Sequence, residues 1–247
     1  MPEPRLRHAE KYPPPYELNS FPDEFAHAVG KEILALYATQ QRASLEGPDW
    51  ERIFAAAING EWKPSNVGLD DIQLRNCAWG AKTVKNSDPF QTNRLRLISG
   101  RNNPEYSFKE IAKTPAGIGR QVLDIWNARV SELRARFRHL RSVVLIKPSN
   151  MEVAFLDFAV FEFETVRYMP EDFSWSKNKN DNYIAVETKS GMHRFTWQRH
   201  GSQFTILEDV PKERLCLRLH HPPMISSAEV LKSISFKPDW IQVWKPK

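Results

Sequence analysis

Residues 67–85 read VGLDDIQLRNCAWGAKTVK, and this stretch decides the fold that we expect. Residues 66–74 and the largely apolar residues 77–84 are predicted to form two short strands. Their connection is too short for a crossover helix, so we predict an antiparallel hairpin. Alternation along the second strand puts Lys82 on the same face as Gly80 and Ala78, two small residues that leave space for a ligand. Asp71, across the turn, is expected to reach the same space.

The rest of the chain predicts an α+β fold. Helical spacing of apolar residues predicts helices over 22–43, 48–59 and 118–140. Further strands are predicted over 95–99, 142–146, 153–165, 183–188, 195–198, 204–207 and 240–244. Three consecutive prolines, Pro13 to Pro15, favour an extended arm over 1–21. We therefore expect a single domain, residues 1–247, with a central mixed β-sheet flanked by helices, a helix-rich first half and a strand-rich portion from about residue 142.

The positive charge of the chain is concentrated in one window. The 247 residues include 35 Lys and Arg against 30 Asp and Glu, a net charge of +5. Residues 91–147 alone contain twelve Lys or Arg and four Asp or Glu, so the rest of the chain is net negative. Such a concentration favours a polyanionic partner such as nucleic acid, and the alternative is a solvated helix face.

Several classes of protein are excluded by the sequence. A run of 18 apolar residues is absent, and the N-terminus lacks the apolar core of a secretory signal. The two cysteines, Cys77 and Cys216, do not have the spacing of a disulfide scaffold or a zinc site. We therefore expect a cytoplasmic protein without a membrane partner. Neither a P-loop nor a GxGxxG motif occurs, so no nucleotide cofactor is expected.

Asp71 and Lys82 supply the two kinds of group that phosphodiester hydrolysis needs. A carboxylate holds a divalent cation, usually Mg²⁺, and a lysine contacts the phosphate or the attacking water. Taken alone, such a pair is also compatible with a surface aspartate and a strand lysine that extends to solvent.

The segment from about Trp50 to Lys85 resembles the PD-(D/E)XK nucleases, and in particular type II restriction endonucleases. Asp71 matches the aspartate of that motif, Lys82 matches its lysine, and Glu51 resembles the glutamate contributed by a preceding helix. The motif places an acidic residue two positions before the lysine, where this chain has Gly80. Pro64 fits the proline of the motif only loosely.

The resemblance implies that Asp71 and Glu51 hold the metal and that Lys82 orients water or stabilises charge. Other oxygen-bearing side chains nearby are fallback ligands: Asp70, Gln73, Glu61 and Glu105. A second candidate site, Asp181, Glu187 and Lys189, has the acid that the first lacks, but its lysine runs into a turn at Gly191.

Three stretches are candidates for contacting DNA, because Arg, Asn and Gln pair with base edges and Arg also binds phosphate. The first comprises Arg94, Arg96, Arg101, Asn102 and Asn103. The second is a basic face expected on the long helix, formed by Arg134, Arg138 and Arg141. The third is a turn that carries Gln198, Arg199, His200 and Gln203.

Together these observations predict a Mg²⁺-dependent, sequence-specific endonuclease acting on double-stranded DNA. The resemblance further implies a restriction-endonuclease-like fold and a homodimer that cuts a palindromic target. Two alternatives stay open. One is a nucleic-acid-binding module with a degenerate site, and the other is a repair nuclease of the same fold.

Overall fold

The computed structural model describes residues 12–40, 45–63, 68–150 and 153–244. The α-helices are α1 (Asp23–Thr39), α2 (Gly47–Ala57), α3 (Pro104–Ser107), α4 (Pro115–Arg134) and α5 (Ser227–Ser233). The strands are β1 (Glu61–Trp62), β2 (Ile72–Leu74), β3 (Cys77–Asn86), β4 (Arg94–Arg101), β5 (His139–Pro148), β6 (Phe155–Glu164), β7 (Phe173–Lys177), β8 (Asn182–Glu187), β9 (His193–Gln198), β10 (Gln203–Asp209) and β11 (Leu215–His220). Short 3₁₀ helices cover Pro170–Asp172 and Pro238–Trp240.

The strands form two sheets. The first has the order β1-β2-β3-β5-β6-β11, and the second has the order β4-β10-β9-β8-β7. Strands β3 and β5 are parallel, whereas the other pairs in the first sheet are antiparallel. The helices lie mainly in the first half of the chain, so the predicted α+β class with a mixed sheet is confirmed.

Helices cover both faces of the first sheet. On one face, α1 and α2 pack against a core that includes Trp50, Phe54 and Trp79. On the other face, α4 lies between the first sheet and the second, with Trp126 at the centre of a second core. Beside α4 the two sheets contact each other directly, as Leu97 does with residues of β5 and β6. No helix in the described ranges is long and apolar enough to cross a membrane.

Several predicted boundaries were wrong. The long helix ends at Arg134, and the chain turns before β5 begins at His139. Phe137 and Leu140 are both buried, so their spacing extended the helical pattern although neither belongs to the helix. The predicted arginine face therefore does not exist, because Arg138 lies in the turn and Arg141 is buried in β5.

Other differences concern individual strands. The predicted strand over 240–244 is absent, and Trp240 and Trp244 are exposed. Strands β7 and β11 were not predicted. The first hairpin strand is limited to β2, and the predicted positions 66 and 67 lie outside the described residues, as do Pro64 and the start of the arm.

A buried carboxylate joins three strands to the arm. Glu162 in β6 accepts hydrogen bonds from Trp79 Nε1 in β3 at 2.8 Å and from Tyr16 Oη in the arm at 2.9 Å. Arg141 Nη1 in β5 lies 3.0 Å from Glu162 Oε2, and both side chains are almost fully buried. Asn19 also bonds to the backbone N–H and C=O of Glu162. The network therefore fixes the arm and the central strands against each other.

Replacing Arg141 by Met leaves the Glu162 carboxylate buried without its cation. We expect the free energy of unfolding to fall by about 3–5 kcal/mol, as for other buried pairs that lose one partner. Urea denaturation measures the change. The matched control is Arg120→Met, which breaks an exposed pair with Glu171 and should cost about 1 kcal/mol or less. Equal losses for the two variants would contradict the account.

Candidate active site

The candidate site lies where β2 leaves β3. Pairing between the two strands extends only from Ile72 opposite Trp79 to Leu74 opposite Cys77. Beyond Trp79, β3 stays paired with β5 on its other side as far as Asn86. Within the described residues no strand pairs with the remaining β2 side of β3. This unpaired edge, called the open edge of β3, is contacted instead by side chains and by backbone outside the strands.

Asp71, which directly precedes β2, is bound to this open edge. Its side chain is 2% exposed, and its Oδ2 accepts a hydrogen bond from the backbone N–H of Ala81 at 3.1 Å. The N–H and C=O of one strand residue project to the same side, so the Ala81 carbonyl also faces the open edge. Asp71 is thereby held next to Lys82.

Lys82 directs its ammonium group to the same place. Nζ donates a hydrogen bond to the carbonyl of Gly68 at 2.7 Å. The residue as a whole is only partly buried, but the ammonium group is enclosed by protein. This desolvation disfavours the charged form and lowers the pKa of Lys82, while the carboxylates of Asp71 and Glu51 act in the opposite direction.

Glu51 comes from α2. Its Oε2 accepts a hydrogen bond from Trp62 Nε1 at 2.9 Å, which fixes the side chain at the β1 edge of the first sheet. Glu51 and Asp71 are the carboxylates that act electrostatically on Lys82. The three residues that the motif predicted, from a helix, a strand end and a strand, are thus close enough for both carboxylates to act on Lys82.

The glycine that departs from the motif has a steric reason. A Cβ added at Gly80 would lie 2.5 Å from the carbonyl oxygen of Gly68 and 3.0 Å from Cα of Leu69. The backbone before Asp71 therefore occupies the space into which an acidic side chain would project. Gly68 itself has a φ of +66°, which glycine adopts without strain.

The donors present fit a hard cation. Asp71 and Glu51 offer carboxylate oxygens, and Mg²⁺ is commonly held by one or two carboxylates together with water. Among the residues that the structure describes, no group of three or more His, Cys, Asp or Glu side chains is placed to hold a metal. Any Mg²⁺ at this site would therefore keep most of its water ligands.

The fallback ligands are engaged elsewhere. Asp70 accepts from Gln73 and pairs with Arg136 at 3.8 Å. Glu61 pairs with Lys63 at 2.9 Å, and Glu105 pairs with Arg199 at 3.6 Å.

The second candidate motif does not form a site. Asp181 directly precedes β8 and Glu187 ends it, so the strand rise separates them by about 20 Å. Asp181 is paired with Lys177, and Lys189 lies in the turn that follows β8. No single cation can contact both carboxylates.

The first predicted DNA-contacting stretch is divided by the structure. Arg94 is engaged by the His193 carbonyl and by Asp209, while Arg96 and Arg101 are exposed. Asn102 is fully buried, and it donates to the carbonyl of Val122 and accepts from Arg129. Asn103 caps α3 through Glu105 N. Arg96 and Arg101 are thus the residues of this stretch that a ligand can reach.

The third stretch lies beside Arg101. Gln198 ends β9, Gln203 begins β10, and Arg199 and His200 are exposed in the turn between them. Gln203 pairs with Gln198 on one side and with Arg101 on the other. Residues about 100 positions apart in the sequence therefore form one group.

Sequence reasoning did not identify Gly68 or the Ala81 amide, since a backbone group leaves no mark on the residue pattern. It also did not identify Asn182, the first residue of β8, which lies opposite Gln198 of β9. The run of Lys and Asn from 177 to 182 was its only signal, and this resembled an ordinary polar loop.

No family model, curated protein or solved structure matches this chain.

Replacing Gly80 by Ala forces the Gly68–Leu69 backbone away from β3. We expect the free energy of unfolding to fall by about 1–3 kcal/mol, as for other overpacked sites. Thermal denaturation measures the loss. The control is Gly47→Ala, where an added Cβ meets nothing within 4 Å and the change should stay within about 0.5 kcal/mol. A Gly80→Ala protein as stable as that control would show that the space is free.

Proposed function

We propose that the protein is a Mg²⁺-dependent endonuclease that hydrolyses phosphodiester bonds in double-stranded DNA. The observation that carries the proposal is the placement of Asp71 and Glu51 about Lys82 at the open edge of β3. Two carboxylates and a lysine at one edge are the groups that metal-assisted phosphodiester hydrolysis requires.

Each residue has a separate role in this proposal. Asp71 and Glu51 hold Mg²⁺, which when bound polarises the phosphate and lowers the pKa of water. Trp62 orients Glu51, and the Ala81 amide orients Asp71. Lys82 supplies an amine at the phosphate, where a charged form stabilises negative charge and a neutral form accepts a proton from water.

Duplex DNA is the substrate that the rest of the molecule favours. The exposed Arg96, Arg101 and Arg199 supply positive charge, and Gln198 and Gln203 supply amides that pair with base edges. Sequence specificity of the restriction type and a homodimer on a palindromic target belong to the same proposal, and they rest on the motif resemblance alone.

A non-catalytic nucleic-acid-binding module is the second candidate. This candidate is favoured by the hydrogen bonds that Lys82 and Asp71 already make to the backbone. Lys82 donates to the carbonyl of Gly68, and Asp71 accepts from the amide of Ala81. In that case the pair serves to fix the chain before β2 to β3, and DNA would be bound without being cut.

Substitution of the three site residues tests catalysis. We expect Asp71→Asn and Lys82→Ala to reduce the rate of plasmid cleavage in Mg²⁺ by about 100-fold or more, the usual effect of removing one group that stabilises the transition state. Glu51→Gln should raise the Mg²⁺ concentration needed for half-maximal rate, because one of the two anionic ligands is lost. Circular dichroism verifies that each variant is folded.

Glu187→Gln is the matched control, because it removes a carboxylate from the second motif and should cleave like the wild type. Cleavage that persists in Asp71→Asn, or that is lost in Glu187→Gln alone, would show that the active site does not lie at the open edge of β3.

The pH dependence of cleavage separates the two roles of Lys82. Burial lowers its pKa, so the neutral amine becomes available at lower pH than for an exposed lysine, and if Lys82 acts as a base the rate should rise with pH until the amine is fully deprotonated. Lys82→Arg stays charged at every pH tested. If Lys82 acts as a base, this variant is inactive throughout; if Lys82 acts as a charge, the wild-type rate instead falls as the amine loses its proton, and the variant keeps its activity without that fall.

A further inference from the structure

One end of the second sheet gathers three loops that are distant in the sequence. The strands of this sheet are antiparallel, so their ends alternate along it. At this end β4, β9 and β7 finish, and β10 and β8 begin. The segment after β4, the β9–β10 turn over 199–202 and the β7–β8 loop over 178–181 therefore lie side by side.

Four polar side chains form a row across this end. Arg101 pairs with Gln203, Gln203 with Gln198, and Gln198 with Asn182. The alternate positions face the core and are buried: Tyr183, Trp197 and Phe204. The row therefore projects from the outer face of the sheet, away from α4.

These four side chains have no partners within the chain as far as the structure describes it. No hydrogen bond or ion pair involves the side chain of Arg101, Gln198, Gln203 or Asn182. By contrast, the nearby Asn178 uses its Oδ1 to accept from two backbone amides of its own loop. The amide and guanidinium groups of the row are therefore available to a ligand.

Positive charge surrounds the row. Arg199 pairs with Glu105 at 3.6 Å and also acts on the pKa of Lys177 and of Asp181, which shows that the turn and the β7–β8 loop are close. Lys179 is exposed at the tip of that loop. With Arg101, the end carries four cationic side chains against two carboxylates.

The length and the side-chain types of the row together favour one groove of a duplex. Neighbouring strands lie about 4.8 Å apart, so the row from Arg101 to Asn182 spans about 14 Å. The major groove of B-DNA is about 12 Å wide and the minor groove about 6 Å. The row is longer than either groove is wide, so it would lie along a groove, and the major groove is the one in which Arg pairs with guanine and Asn or Gln pairs with adenine.

We propose that this end of the second sheet reads base edges in the major groove of duplex DNA through Arg101, Gln203, Gln198 and Asn182, while Lys179 and Arg199 bind phosphates. The choice of DNA as the partner rests on the proposed function. Reading of bases does not depend on cleavage, so the two proposals can fail separately.

The test measures binding in a protein that carries Asp71→Asn, in Ca²⁺, with a library of random duplexes followed by sequencing of the bound fraction. We expect the parent to enrich a defined sequence. The double variant Gln198→Ala/Gln203→Ala should bind that sequence about tenfold or more weakly and bind unrelated duplexes as before, because each bidentate base contact contributes to discrimination and not to phosphate binding.

The phosphate contacts have their own readout. Lys179→Ala and Arg199→Ala should each reduce the magnitude of the negative slope of log affinity against log salt by about 0.9 and leave the preferred sequence unchanged. The matched controls lie at the opposite end of the sheet: Gln91→Ala and Lys212→Ala, both of which should behave as the parent does.

Three results would overturn the inference. They are the absence of an enriched sequence, the same enriched sequence in the double glutamine variant, and salt slopes that do not change. A protein that enriches a sequence in this way but never cleaves DNA would retain the reading surface and refute the proposed nuclease. DNA cleavage by a protein in which these variants change neither the preferred sequence nor the salt slope would retain the proposed nuclease and refute the reading surface.

Discussion

The close approach of the Gly68–Leu69 backbone to Gly80 is the constraint on which the candidate site depends. It leaves no space for a side chain at position 80, and it ends the pairing of β2 with β3 after three residues. The same approach places the Gly68 carbonyl against Lys82 and holds Asp71 beside the Ala81 amide. The missing carboxylate and the unpaired strand edge thus have one cause, and a metal site here would rely on Glu51 for its second anion.

The strand that carries Lys82 is held firmly on its other side. Trp79, next to Gly80, donates to the buried Glu162, which also binds Arg141 of the parallel neighbour β5. A buried carboxylate with several donors fixes its surroundings, because each donor that is lost leaves the buried charge less well compensated. The open edge of β3 is therefore set in a rigid frame, as a site that must position a phosphate requires.

The sequence predicts local features well and non-local ones poorly. Strand β3 was predicted because its largely apolar residues are contiguous in the sequence, and Asp71, Lys82 and Glu51 were proposed as site residues from a motif resemblance that spans about 35 consecutive residues. The end of α4 was missed because Phe137 happens to continue the helical period. Whether Asn102 is buried or Gln203 exposed depends on the pairing of β4 with β10, which lie some 100 residues apart, so no local pattern reports it. For the same reason the sequence alone does not predict that Asn182 lies beside Gln198.

The most direct test of the account is the incubation of the wild-type protein with bacteriophage DNA, with and without Mg²⁺, followed by gel electrophoresis. The account predicts discrete fragments that appear only when Mg²⁺ is present. Intact DNA under both conditions, together with a salt-sensitive mobility shift, would contradict it. That result would mean that Lys82 and Asp71 serve only to anchor the backbone at Gly68 and Ala81.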